Sequence, residues 1–350
     1  MSTPLTTANL GFPRIGRDRQ LKWALERHWR GELDGNGLRA TARLLRSTHW
    51  QLQANRGIDR IPSGDFSLYD HVLDTAVTLG AVPGRFGSPI DLSTGDAAAL
   101  ATYFRIARGA EGVPALELTK WFDTNYHYLV PELAPDQSFT YASPLGRAHL
   151  EEAAGLGIAT RPVVLGPITF LRLAKRSDGG DTIELLDAVL PAYQDWISDL
   201  VAAGATALQI DEPVLALDLA EGERAAFGEV YRLLRAAAGA AELTVATYFG
   251  ALGDNTALAT SLPIDVLHVD LVRAPDQLST VVNATPPALA LSLGVVDGRN
   301  IWRTDLATLA QRLLPVIDTL GRERVHLARR APSYTYPSTS PARRATTASS

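Results

Sequence analysis

A chain of 350 residues, 46% hydrophobic and 20% charged, reads as one large or two medium globular domains of a soluble protein, able to bury about three quarters of its unfolded surface without covalent staples. It has no cysteine, which excludes disulfides, zinc–thiolate sites, thiol nucleophiles and iron–sulfur clusters, and its net charge of −5 disfavours general nucleic-acid binding. No apolar run reaches the ~18 residues of a membrane span, and the N-terminus lacks a basic segment followed by an apolar one, so the cytoplasm is the expected compartment.

In chain order, "LGFPRIG" near residue 10 reads as the first strand, followed by a turn at Gly16. A helix then opens with Asp18 as the expected N-cap and continues through Arg19, Gln20, Leu21 and Lys22. Arg14, Arg17, Arg19 and Lys22 cluster at this helix start. Backbone N–H groups and the positive dipole end point the same way, so a carboxylate or phosphate could dock there; the alternative is a solvated cationic rim. A second helix, rich in Leu and Trp, covers about residues 38–55 and leads to strand two, "IPSGDFS", near residue 61. Residues 67 to 160 form a long insertion before strand three. Its aromatic-rich stretch "LTKWFDTNYHYLVPEL" predicts an ordered segment folded over one face of the domain. Within it Lys120 either anchors an anion or lays its stem along Trp121, Phe122 and Tyr126.

From residue 160 the pattern becomes regular. The runs "RPVVLGPITF" (161–170), "ALQIDEP" (207–213), "LTVATYF" (243–249), "VLHVDLV" (266–272), "LALSLGVVDG" (289–298) and "RVHLA" (324–328) are nearly continuous in Val, Leu and Ile, as suits parallel strands buried on both faces. Amphipathic stretches such as 182–204 separate them. Eight strands spaced by helices predict an α/β fold, a (β/α)8 TIM-like barrel with its long insertion between strands two and three. The segment 329–350, with Ser, Thr, Pro and Arg and no acid, predicts a disordered tail, so the domain is expected to span 1–328.

In such barrels functional groups sit where strands end. Asp65, Asp211, Glu212, Tyr248, Asp270 and Asp297 all fall there. Each acid is either part of a ligand site or a cap for the next helix. His28, His49, His71, His127, His149, His268 and His326 show neither HExxH nor HxH spacing, so no metal site is expected.

Taken in order, "LGFPRIGRDRQLKWALE", "GDFSLYDHVLD", "ELTKWFDTNYHYLVPEL", "VVLGPITFL", "LQIDEPVL", "VATYF", "LHVDLV" and "LGVVDGRNIWR" closely resemble the N-terminal half of the cobalamin-independent methionine synthase family, from about residue 9 to 328. The family is built from two (β/α)8 barrels face to face and transfers a methyl group from 5-methyltetrahydropteroyltriglutamate to homocysteine in methionine biosynthesis. The resemblance implies that Arg19, Gln20, Leu21 and Lys22 line the site of the folate's polyglutamate tail, with Lys120 a further contact. It also implies what this chain lacks. The family's zinc, held by His, Glu and two Cys, and its catalytic His belong to the C-terminal barrel. No bound cofactor and no catalytic residue are therefore expected here, and a C-terminal methionine-synthase barrel is the implied partner.

Back-translated with C or G at each third position and moved by one nucleotide, "SYTYPSTSP" (333–341) reads LLHVPVDLA, close to what the family carries after the strand matching "RVHLA". The expectation is a single-nucleotide loss near codon 328 that truncates the barrel at its eighth strand and leaves the chain inactive alone. Other classes remain: a stand-alone barrel hydrolase using Asp65, Glu212 or Asp270 as a carboxylate pair, a non-catalytic folate-binding module completed by a separate C-terminal barrel, or a fragment that folds poorly without its last helix.

Overall fold

The computed structural model describes residues 5–298, 300 and 302–332. Eight parallel strands form one sheet: β1 (Thr6–Ala8), β2 (Pro62–Ser63), β3 (Arg161–Leu165), β4 (Ala207–Asp211), β5 (Glu242–Ala246), β6 (Val266–Asp270), β7 (Ala290–Val296) and β8 (Val325–Arg329). From β2 to β8 each strand pairs with the next in sequence, and β1 pairs with β8 in the register Thr6 to His326 and Ala8 to Ala328. A bridge between Ala8 and Arg60, with Asn9 N–H donating to Arg60 O at 3.0 Å, closes the sheet at the β1–β2 seam. The expected barrel and the order of its strands are therefore present.

Strand one differs in position. The apolar run near residue 10 is a loop, because Pro13 cannot donate to a ladder, Gly16 takes a φ of +81°, and the Phe12 N–H is held by the Asp65 carboxylate at 2.7 Å. The pairing falls instead on the preceding Thr6, Thr7 and Ala8. At the other end, β8 runs through Arg329, and Arg330 and Ala331 are buried, so ordered chain continues past the boundary expected at 328. The rest of the expected tail, 333–350, lies outside the described residues.

Helices cover the strands: α1 (Gln20–Trp29) and α2 (Gly35–Asn55) after β1; α3 (His71–Thr78), α4 (Ala97–Arg108) and α5 (Leu145–Ala154) within the insertion; then α6 (Pro167–Leu173), α7 (Leu186–Ala202), α8 (Glu221–Ala238), α9 (Thr256–Ser261), α10 (Leu278–Ala284) and α11 (Leu306–Leu320). Asp34 starts α2 by accepting the Gly37 N–H at 2.7 Å, and Asp70 starts α3 by accepting from Val72 and Leu73. Among the described residues no helix is long and apolar enough to cross a membrane.

The barrel centre is polar. Arg161, only 1% exposed, donates to Gln209 Oε1 at 2.6 Å and to Asn9 O at 3.1 Å, and burial pulls its pKa down to about 10. His268 sits beside the Ser292 hydroxyl at 3.0 Å. The apolar core lies mainly between strands and helices, where Leu208, Ile210, Val245 and Leu267 meet Tyr193, Ile197, Phe227 and Leu234.

The insertion is ordered, as its aromatic content predicts. Its hairpin, Leu118–Lys120 paired antiparallel with His127–Leu129, reaches the end of the barrel where strands finish. There Phe122 meets Phe249 with ring centroids 5.8 Å apart, and Asp123 pairs with Arg273 at 2.9 Å.

Candidate functional site

The loop 9–19 delivers α1 to the surface in an unusual way. Asp18 does not cap the helix. Arg19 occupies the N-cap position in the left-handed region, φ 59° and ψ 33°, and no side chain caps the helix. The local cause is Gln20, whose Oε1 turns back to accept the Asp18 N–H at 3.0 Å, while Ile15 O takes the Leu21 N–H at 3.1 Å. Gly16 makes room for this turn, since a Cβ there would collide with the Gln20 side chain. The first turn of α1 holds no acid. The positive dipole end is thus met by no acid from within that first turn.

The four cations of this stretch have different fates. Arg14 is spent on structure: its Nη1 donates to Ser67 O at 3.0 Å and Leu68 O at 3.2 Å, tying the loop to the segment before α3. Arg17 and Arg19 are exposed, with no polar partner for their side chains among the described residues. Lys22 lies 3.7 Å from Glu26 and 5.0 Å from the Trp23 ring centroid, both loose contacts on an exposed face. Leu21 is different in kind: its side chain is fully buried, so it anchors the helix rather than facing solvent. The structure therefore gathers Arg17, Arg19, Gln20 and Lys22 on one exposed helix start.

Lys120 ends the first hairpin strand, exposed, and its ammonium has no polar partner among the described residues. Of its aromatic neighbours, Trp121 is fully buried against His71 and Tyr128, while Phe122 and Tyr126 are half-buried. Asp70 fixes the hairpin. The carboxylate accepts the Leu129 N–H at 3.0 Å and the Tyr126 hydroxyl at 3.2 Å, and burial pushes its pKa up to about 6. No hydrogen bond, ion pair or ring contact joins Lys120 to the α1 start among the described residues.

The acids at the strand ends are engaged within the fold, and one of them, Glu212, caps a helix. Glu212, fully buried, accepts the Ile168 N–H at 3.3 Å and the Thr169 N–H at 2.8 Å, capping α6 from the next strand, and burial raises its pKa to about 7. Gly166 admits it; a Cβ there would strike the carboxyl group. Asp270 accepts from Phe249, Val272 and Arg273 backbone N–H groups. Asp65 holds Phe12 and is pushed up to about 6 by burial. Asp211 accepts from Gln209 and the Tyr248 hydroxyl, and Asp297 from the Asn300 amide. Asp65, Glu212 and Asp270, the acids of the hydrolase reading, are buried and poorly placed to serve as a water-exposed acid and base, which weakens that reading. Metal chemistry of the family's kind also finds no fit. The sequence has no thiolate to offer, and among the described residues no group of three His, Asp or Glu side chains could hold a metal ion.

Comparison with known proteins decides the family. Residues 6–321 match the model of the cobalamin-independent synthase N-terminal domain. The chain belongs to this family, as the N-terminal barrel of cobalamin-independent methionine synthase. It is 53% identical over 326 residues to a 5-methyltetrahydropteroyltriglutamate–homocysteine methyltransferase of Chelativorans sp. (strain BNC1), covering 89% of this chain and 42% of that protein. It is 50% identical over 344 residues to the protein so named from Caulobacter vibrioides, covering 93% of this chain and 44% of that one. The chain therefore spans less than half the length of these curated relatives. Among solved structures, a B12-independent methionine synthase from Shewanella sp. W3-18-1 in complex with selenomethionine superposes with a TM-score of 0.67 at 14% identity, over 96% of this chain and 93% of that one. The putative vitamin-B12-independent enzyme from Listeria monocytogenes gives 0.65 at 14% identity over 95% and 92%. At such identity these two speak for the fold alone.

Sequence reasoning missed Asp70, Tyr126 and Arg161. Asp70 stands one residue before α3, and its position as an N-cap was legible; its grip on Leu129, 59 positions later, was not.

Proposed function

We propose that this barrel binds the polyglutamate tail of 5-methyltetrahydropteroyltriglutamate at the start of α1, through Arg19, Gln20 and Lys22 with Leu21 as anchor, and that Lys120 supplies a further contact. The observation that carries the proposal is the start of α1, which has no side-chain cap and no acid in its first turn, and where Arg19, beside Lys22, has no polar side-chain partner among the described residues. A flexible chain of carboxylates would supply the anions that this helix end lacks. Exposed ion pairs contribute only about 0–1 kcal/mol each, so several carboxylates are needed and binding should weaken with salt.

The relatives' printed activity supports a place in methyl transfer to homocysteine, in methionine biosynthesis. In this reading the chain supplies tail binding only. Zinc would act by holding homocysteine as a thiolate; the sequence has no cysteine and, among the described residues, no group of three His, Asp or Glu side chains fits that ion, so in this reading the nucleophile comes from a C-terminal barrel, the proposed partner. The test is the affinity for triglutamate against monoglutamate folate, measured at two salt concentrations with wild type and with Arg19→Glu and Lys22→Glu.

A further inference from the structure

A cleft of about 750 Å³ opens between α2 and α5, roofed by residues 92–95, and no residue of the α1 start lines it. Its volume is that of a small-molecule site. The apolar walls include Phe66, Leu92 and Leu100. Along one face of α2, Arg39, Arg43 and Arg46 line the same opening at helical spacing.

These arginines are unequally engaged. Arg39 is held by Gly95 O, and Arg46 is paired with Glu152 and lies over the Phe66 ring at 5.3 Å. Arg43 is exposed and has no polar partner among the described residues. Across the cleft stands His149, 4% exposed, whose Nδ1 is buried and, among the described residues, without a hydrogen-bond partner. Burial holds this imidazole neutral, well below its usual pKa, so it offers a dipole and not a second charge. An orphaned buried ring nitrogen carries a desolvation cost, which a ligand atom would relieve.

We propose that this cleft binds a small carboxylate with an apolar body, the body against Phe66 and Leu100, the carboxylate toward Arg43 and Arg46, and a polar atom at His149. The charge balance favours an anion: three guanidinium groups face one paired carboxylate, Glu152, and the remaining acid, Asp74, is buried, hydrogen-bonded by Tyr103 at 2.6 Å and pushed up to about 7. A phosphate-sized inorganic ion would leave the apolar walls wet. A neutral aromatic molecule would leave Arg43 unused.

The probe is phenylacetate, titrated by calorimetry into the full chain, with phenylacetamide as its uncharged counterpart. The expected result is saturable phenylacetate binding about tenfold tighter than phenylacetamide, a discrimination lost in Arg43→Gln. Ala40→Trp, at an exposed position of the lining, should block both ligands while leaving thermal unfolding unchanged. Absence of saturable phenylacetate binding, equal affinity for the two probes, or undiminished binding in Ala40→Trp would overturn the assignment. Neither Arg19 nor Lys22 lines the cleft, so a failure here leaves triglutamate binding untouched and the two readings separate.

Discussion

The carboxylate of Asp70 accepts the backbone N–H of Leu129 at 3.0 Å, and through that bond the start of α3 holds the hairpin that carries Lys120. The same carboxylate takes the Tyr126 hydroxyl at 3.2 Å, so both the second hairpin strand and the loop before it are fixed by one side chain. Asp70→Ala should cost about 3 kcal/mol, because several buried donors lose their acceptor at once. Asp70→Asn keeps one acceptor oxygen and should cost less. Hydrogen exchange should accelerate at residues 118–129 before any other part of the insertion; uniform exchange across the insertion would contradict this role.

Glu212 gives a pH prediction. Its folded pKa, about 7, lies above the ordinary 4.5 because of burial. A raised carboxyl contributes stability below its unfolded pKa and loses that contribution as pH rises through the folded value. Glu212→Gln removes this titration. The stability advantage of wild type over the variant should therefore shrink by about 3 kcal/mol between pH 4.5 and 8, read by urea unfolding at each pH. A constant difference across the window would show that Glu212 titrates normally.

Arg161→Leu should destabilise the barrel by about 3 kcal/mol, since it leaves Gln209 Oε1 and Asn9 O buried without their donor. Arg161→Met fills a similar space and should cost nearly as much, because the loss is of hydrogen bonds and not of volume. Denaturant midpoints at unchanged slope would show that the native fold survives both changes.

The barrel was legible because its strands are short apolar runs of the kind that parallel sheets bury on both faces. β1 was not, since Thr6 and Thr7 are polar and the apolar residues beside them belong to a loop governed by Pro13 and Gly16. Local rules named Asp18 as the cap of α1, but Gln20 competes for its backbone and Arg19 takes the turn instead. For the mouth acids, sequence left a cap and a ligand role equally open. What settles Glu212 is its reach to Thr169, 43 positions earlier, which no local pattern encodes. Arg161 was hidden for the same reason, its partners lying 48 and 152 positions away.

Purified alone, with zinc, homocysteine and 5-methyltetrahydropteroyltriglutamate, the chain should form no methionine above background, because it contains no thiolate to complete a zinc site. Mass-spectrometric detection of methionine formed at a rate proportional to protein would contradict the assignment of the chemistry to another barrel.

The central claim is that the start of α1 binds a polyanionic tail, and the most direct measurement is calorimetric titration of 5-methyltetrahydropteroyltriglutamate and its monoglutamate at low and high salt. The account predicts tighter binding of the triglutamate by about tenfold at low salt, an advantage that shrinks as salt rises and disappears in Arg19→Glu and Lys22→Glu. Equal affinity for the two forms at low salt would contradict it and leave Arg19 and Lys22 as a solvated rim.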